Sequence, residues 1–333
     1  LFDAAGIYAM KPISVAIVGA GGMGNVHFQN YKHIEGVSIA AVVDKNAAAR
    51  SRADEWGVPY FSSLDAVTVP FDVVDICAPT FLHKELVMCA LSLGKNVICE
   101  KPLALSETDG AELFSEAEKR GLRLYTALVL QFTKAVEYLH KIVDEKTYGA
   151  PCSAHFFRLS ECPSWSKDSW LFEKEKSGFI PYDLHIHDLD IIVSLFGEPE
   201  NARYYANGRA SVPYPEHATF IYEYKNLTVT AEAAWYNAPF PFTAGWRVEF
   251  ENAVIVCSGN DLTVYPAGGE AFRVNIDDEV TVATGINVPA VGWYYNELSA
   301  FTECLRRGED CPRVAKSQVL AVLKILDELT KAN

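Results

Sequence analysis

Three groups of residues in this sequence are of types, and at spacings, that can do chemistry. The first is Gly19-Ala20-Gly21-Gly22-Met23-Gly24, which follows the apolar run Ser14–Val18 and precedes a helical pattern. Between a buried strand and a helix, Gly19 permits the tight turn, Gly21 lets a pyrophosphate approach the backbone, and Gly24 allows close helix–sheet packing. The helix N-terminus, at Gly22 and Met23, adds free N–H groups and a partial positive charge. Asp44 lies twenty residues beyond Gly24, at the end of the second strand-like run, and can accept hydrogen bonds from both ribose hydroxyls of an adenosine. A 2′-phosphate there would sit about 4–5 Å from the carboxylate and cost about 3–4 kcal/mol at an effective dielectric near 20. The expected cofactor is therefore NAD, with NADP second because Lys45 offsets part of that repulsion.

The second group is Glu100-Lys101-Pro102, directly after the run Asn96–Cys99. Lys101 then falls at the carboxyl end of a parallel strand, where open α/β sheets bind ligands. Pro102 fixes φ there and marks a position where a cis bond can occur. The third group is Asp183-Leu184-His185-Ile186-His187-Asp188-Leu189-Asp190. On a helix, Asp183, His187 and Asp190 at i, i+4 and i+7 share one stripe, while Leu189, Ile192 and Phe196 point into the core. Oxidation of a hydroxyl needs a base and a group to hold the alkoxide, and such a polar line supplies both. The plain alternative is that Asp183 caps the helix and His187 is a satisfied core histidine. His185 and His187 would point about 200° apart on a helix, so no metal site is expected.

The elements that must position these groups follow from periodicity. From Ile13 to Tyr125, compact β-branched runs (Ser14–Val18, Val37–Val43, Val73–Cys77, Asn96–Cys99, Arg123–Tyr125) alternate with helical stretches such as Leu82–Ser92 and Glu107–Arg120. Continuously apolar strands separated by helices predict an α/β, Rossmann-type, doubly wound parallel sheet over residues 10–130. Beyond it, residues 131–333 read as an α+β substrate and oligomerisation domain with an open, mainly antiparallel sheet. Its expected parts are helix Ala135–Asp144, strand Cys152–Arg158, a helix Asp183–Phe196 closed by Gly197, and strands Ala218–Tyr224, Leu227–Trp235, Trp246–Glu251, Ala253–Ser258 and Asp261–Tyr265. Helices from Asn296 and from Ser317 finish the chain. Residues 1–9 have neither the basic start nor the long apolar stretch of a signal peptide, and read as an expression remnant ahead of a start at Met10.

With Cys77-Ala78-Pro79-Thr80, His83 and Gly94-Lys95-Asn96-Val97 added, the three groups resemble the glucose–fructose oxidoreductase / inositol dehydrogenase / rhizopine catabolism family. The resemblance runs from Met10 to about Leu329 and includes Asn296-Glu297 and Phe301. It implies a two-domain NAD(P)-dependent dehydrogenase of sugars and polyols, oligomeric through the open face of its second sheet. It implies that Lys101, Asp183 and His187 face the nicotinamide, and that Pro79, Thr80, His83, Glu100 and Lys101 join the glycines and Asp44 around the cofactor. It also implies that Lys101, Asp183 and His187 contact the substrate, to which the loop aromatic Trp170 is added here. Three positions depart from the pattern. Gly-Gly before the Asp is replaced by Ser177-Gly178-Phe179-Ile180-Pro181-Tyr182, a common Gly is His185, and a common Arg-Phe is Gln131-Phe132. The aromatics Trp165, Trp170, Tyr182, Trp235, Tyr236 and Trp246 can stack on a sugar ring or equally cover a sheet face.

Composition narrows the partners. The 333 residues carry 29 Lys and Arg against 43 Asp and Glu, a net charge of -14, which repels nucleic acid and anionic lipid. No apolar run approaches the length of a membrane span. Eight scattered cysteines without C-x-x-C point to free thiols in a reducing cytoplasm. Alternate apolar residues in Leu227–Trp235 predict an open sheet face that needs a partner, hence a homodimer or homotetramer. Two other classes compete with a dehydrogenase: a glycosidase- or epimerase-like enzyme that retains NAD and oxidises C3 transiently, and a non-catalytic NAD-binding sensor. Lys101 and His187 argue against the sensor.

Overall fold

The computed structural model describes residues 11–286 and 289–331, so the reading of residues 1–9 lies outside the described residues. The chain divides into two units. The first holds residues up to Glu100, Glu112–Ala127 and Val280–Arg313; the second holds Lys101–Ala111, Leu128–Glu279 and the residues from Val314. Neither is continuous in sequence, whereas a single cut at 130 was expected.

The first unit is a six-stranded sheet of β1 (Ile13–Val18), β2 (Val37–Val43), β3 (Tyr60–Phe61), β4 (Val73–Ile76), β5 (Asn96–Glu100) and β6 (Leu124–Ala127). All five pairings are parallel, in the order β3-β2-β1-β4-β5-β6. Strand order reverses between β1 and β4, which makes their carboxyl ends the crevice of the sheet. The helices are α1 (Gly22–Tyr31), α2 (Arg50–Trp56), α3 (His83–Ser92) and α4 (Glu107–Lys119), the last shared with the second unit. β1 and β4 are buried along almost their whole length, as strands covered on both faces must be.

The second unit contains α5 (Lys134–Glu145), β7 (Pro151–Glu161), α6 (Lys174–Ser177), α7 (Ile186–Phe196) and the strands β8 (Asn201–Asn207), β9 (His217–Tyr224), β10 (Leu227–Tyr236), β11 (Thr243–Phe250), β12 (Ala253–Ser258), β13 (Asp261–Pro266) and β14 (Phe272–Val274). The sheet order is β14-β13-β12-β11-β7-β10-β9-β8, antiparallel except for β7 beside β10. Late in the chain, α8 (Trp293–Arg307) belongs to the first unit, where Phe301 stacks on Tyr125 of β6 at 5.1 Å. α9 (Lys316–Lys331) belongs to the second and packs on α7. That return explains why one cut does not divide the chain. β3, β8 and β14 are short or exposed strands that periodicity does not reveal.

Two expectations need correction. The apolar alternation of β10 does not face outward: Leu227, Val229, Ala231, Ala233 and Trp235 are buried. The other face carries Thr228, Thr230 and Glu232, with His155 bonded to Thr230 at 2.9 Å and His217 to Glu232 at 2.8 Å. Alternation on β10 is therefore core packing and gives no argument for assembly. The expected helix Asp183–Phe196 also begins differently, because Pro181–His185 is a π turn and the α-helix starts at Ile186. The extra residue per turn breaks the polar stripe. Asp183 reaches Lys101, whereas Asp190 is packed inward and held by Gln131 and Gln318. No helix among the described residues is long and apolar enough to cross a membrane.

Candidate active site and dinucleotide cradle

In the first unit, the glycines do what their spacing requires. Gly19 has φ +98, and a Cβ on it would lie 2.8 Å from the Cys77 carbonyl oxygen. A Cβ on Gly24 would lie 1.9 Å from the Gly19 carbonyl oxygen, so α1 rests directly on the turn. A Cβ on Gly21 would meet nothing within 4 Å, which leaves open space against the backbone. Gly21 is also the N-cap of α1 and, having no side chain, makes no cap bond to the first helical N–H groups. Asp44 accepts from Ala20 N at 2.9 Å and from Asn46 N at 2.8 Å, which ties its carboxylate to the glycine loop. Open backbone, uncapped helix and anchored carboxylate together fit the pyrophosphate and ribose of a dinucleotide.

The Pro79–Thr80 turn lies after β4, and Thr80 opens a short 3-10 turn. His83 is buried, with Nε2 bonded to the Ala78 carbonyl at 2.8 Å, so it braces that turn. Glu100 is turned onto His27, whose Nε2 lies 3.1 Å from Glu100 Oε1 and whose Nδ1 lies 2.8 Å from Asp75 Oδ2. Burial alone would push His27 toward neutrality, but Asp75 and Cys77 outweigh it and hold the ring well above its ordinary pKa. Burial, then Asp75, pushes the Cys77 thiol up to about 12. A direct His27–Asp75 hydrogen bond beside a protonated thiol makes this trio a buried polar brace under α1. Local spacing does not connect these three residues. The brace's signal was Asp75, a charge inside an otherwise apolar parallel strand.

In the second unit, Lys101 joins Pro102 through a cis bond. Its Nζ donates to the Asp183 carbonyl oxygen at 2.6 Å and to Asp183 Oδ1 at 3.2 Å. Asp183 therefore orients the lysine and not the imidazole. His187 begins the first turn of α7, and its Nδ1 is buried without a hydrogen-bond partner among the described residues. Burial, then Lys101, then Arg158 hold its pKa well below the ordinary value. Such an arrangement can pass a proton to the imidazole and hold an alkoxide at the lysine.

Arg158 of β7 grips Asp188 with two bonds, Nη2 to Oδ1 at 2.8 Å and Nε to Oδ2 at 3.2 Å, which pins the turn bearing His187. His185 points elsewhere, stacked on Phe220 with centroids 3.6 Å apart and bonded to Tyr222 Oη at 2.7 Å. Burial, then Arg158, drives its pKa down to about 3. Of the six aromatics, Tyr182, Trp235 and Trp246 are core, whereas Trp165, Trp170 and Tyr236 keep exposed surface. Trp170 lies in a 3-10 turn, Lys167–Phe172, anchored by Phe172 against Tyr214 at 4.5 Å.

Comparison with known proteins identifies the family. Residues 13–128 match the GFO/IDH/MocA oxidoreductase family with its NAD-binding Rossmann fold, and residues 136–256 match that family's C-terminal domain. The chain belongs to the GFO/IDH/MocA oxidoreductase family. It is 34% identical over 190 residues to 2,7-anhydro-N-acetylneuraminate hydratase of Mediterraneibacter gnavus, covering 56% of this chain and 50% of the relative. It is 29% identical over 203 residues to myo-inositol 2-dehydrogenase of Thermotoga maritima, covering 60% of this chain and 59% of the relative. The matches thus span about half of these relatives' lengths. A solved levoglucosan dehydrogenase, in complex with NADH and levoglucosan, shares the fold at TM-score 0.85 and 19% identity, with 97% of each chain covered.

Proposed function

We propose that this chain is an NAD-dependent oxidoreductase that oxidises a secondary hydroxyl of a sugar, sugar derivative or cyclitol. The observation that carries the reading is the Lys101–Asp183 pair with neutral His187 beside it. The coenzyme, when bound, supplies the hydride acceptor. Lys101, held by Asp183, anchors the reacting hydroxyl and stabilises the negative charge that develops on its oxygen. His187 takes the hydroxyl proton, and the Arg158–Asp188 pair keeps its helical turn in place. Screening inositols, aldoses and glycosides for NADH absorbance tests the reading; silence across the panel with NAD-loaded protein counts against it.

A second reading is favoured by the likeness to a hydratase. In it, a retained NAD would supply the transient oxidation, while the same lysine holds the hydroxyl and the same histidine takes its proton. Product formation without net NADH separates the two. The protein is also proposed to act as a homodimer or homotetramer in a reducing cytoplasm, on the family likeness and eight cysteines scattered without a C-x-x-C pair. A monomer in light scattering at micromolar concentration would contradict the assembly.

Coenzyme preference follows from Asp44. NAD should be the better coenzyme, and Asp44→Ala should relax the preference roughly ten- to a hundredfold, read as the ratio of kcat/KM values for the two coenzymes. Equal use of NADP by the unaltered protein would remove the argument from Asp44 and turn attention to Lys45.

A further inference from the structure

Gln131 occupies a position where Arg is common, and the second unit shows what it touches. Its Nε2 donates to Asp190 Oδ2 at 2.7 Å and to Ser194 Oγ at 3.0 Å, and its Oε1 lies 3.3 Å from His140 Nε2. Ser194 Oγ lies 3.2 Å from the same His140 nitrogen. Gln318 Nε2 donates to Asp190 Oδ1 at 2.5 Å. Asp190 is 1% exposed, so a buried carboxyl is held on both oxygens by neutral amides.

Among the described residues no cation bonds the Asp190 carboxyl. β7 offers Arg158, which is on Asp188. The π turn offers Asp183, which is on Lys101, and His185, which is on Tyr222. α9 offers Gln318, while its Lys324 pairs with Glu198 and its Lys331 with Asp327. The 3-10 turn Val129–Phe132 offers Gln131, and α5 offers His140, half-buried and joined to Asp190 only through Gln131 and Ser194. α7 itself offers His187, held neutral. A buried carboxylate without a cation is costly, whereas a neutral carboxylic acid needs one acceptor. Turning the Gln131 amide about its last torsion presents its oxygen to Asp190 at no change of shape.

We propose that Asp190, Gln131 and His140 form a proton-operated latch on the helix that carries His187. In the protonated state, the Asp190 O–H donates to Gln131 Oε1, and Gln131 Nε2 donates to the bare Nε2 of His140. In the ionised state one proton has left to solvent, the amide has turned, Nε2 donates to the carboxylate, and Oε1 accepts from His140 Nε2–H. Half-buried His140 is the route by which the proton reaches water. Burial pushes Asp190 up to about 7, with the two glutamines lowering it in part. A carboxyl raised in the folded state contributes stability that is present below its unfolded value near 3.9 and lost as pH rises through about 7. Gripping of α7 therefore weakens across neutrality, and Asp190 acts as a positioning residue for His187. Only its effect on turnover rests on the proposed function; the proton does not.

The test is infrared spectroscopy of the whole purified protein near pH 6 and pH 9, with Asp190→Asn and Gln131→Arg in parallel. The latch requires a protonated-carboxyl C=O stretch at the lower pH that disappears at the higher pH and is missing from both variants. Gln131→Arg supplies the cation and should leave Asp190 ionised throughout. In calorimetry, the melting temperature of Asp190→Asn should gain on the unaltered protein by roughly 5–10 °C between pH 5 and pH 8. No band removed by Asp190→Asn, or a melting difference that ignores pH, overturns the proposal. The band present in a protein without dehydrogenase activity supports the latch and counts against the proposed function alone. The band absent from an active enzyme overturns the latch alone.

Discussion

Lys101→Ala and His187→Ala are each expected to lower kcat at least a hundredfold while NAD affinity stays within a few-fold. A positioned base typically contributes about 10²–10⁴-fold, and the charge beside a developing alkoxide contributes on a similar scale. Both residues belong to the second unit, whereas the glycine cradle belongs to the first. Coenzyme binding, followed by fluorescence titration, should therefore survive both substitutions. The direction of the His187 shift adds a pH signature. Because burial and the neighbouring Lys101 and Arg158 hold its pKa well below 6.5, the His187 imidazole is unprotonated through neutrality. The acid limb of kcat should lie below pH 6.5 and be absent from His187→Ala. Near-normal turnover by either variant on a true substrate would strip that residue of its role. If only His187→Ala were silent, Lys101 would have to be the base.

Gly24→Ala is expected to abolish measurable NAD binding and to lower the melting temperature. The new methyl would lie 1.9 Å from the Gly19 carbonyl oxygen, closer than any real contact, so α1 must move off the turn. Overpacking of this kind costs about 1–3 kcal/mol even where the backbone can yield. Gly21→Ala offers the contrast, since its methyl meets no protein atom within 4 Å. That variant should keep its melting temperature and lose at least about tenfold in NAD affinity, about 1.4 kcal/mol, because the methyl occupies space that the pyrophosphate needs. Calorimetry and titration together separate the two. A Gly24→Ala protein that binds NAD normally would refute the cradle.

The two predictions rest on features of different legibility. The cradle could be read from the chain because strand, turn, helix and Asp44 are close in sequence. Local sterics at Gly19 and Gly24 leave few arrangements for such a segment. The α/β alternation and most of the second sheet were legible for the same reason: continuous and alternating apolar runs report burial on two faces or one. The single stripe of Asp183, His187 and Asp190 does not form. A single π turn at Pro181–His185 shifts every side chain beyond it, and periodicity drawn with 3.6 residues per turn cannot show that shift.

By itself, then, the sequence determined the fold class, the dinucleotide loop, the acidic surface and which residues could carry chemistry. Tertiary structure alone decided which of them meet. Lys101 and Asp183 are 82 residues apart, His27 is 48 from Asp75 and 73 from Glu100, and Asp190 is 59 from Gln131 and 128 from Gln318. Only packing sets such pairs, and in a buried setting the partner determines what a titratable group does. Arg158 at Asp188, and two amides without a cation at Asp190, give neighbouring carboxyls of one helix different chemistry. That difference is a property of low-dielectric surroundings built by distant segments, which no local pattern of residues records.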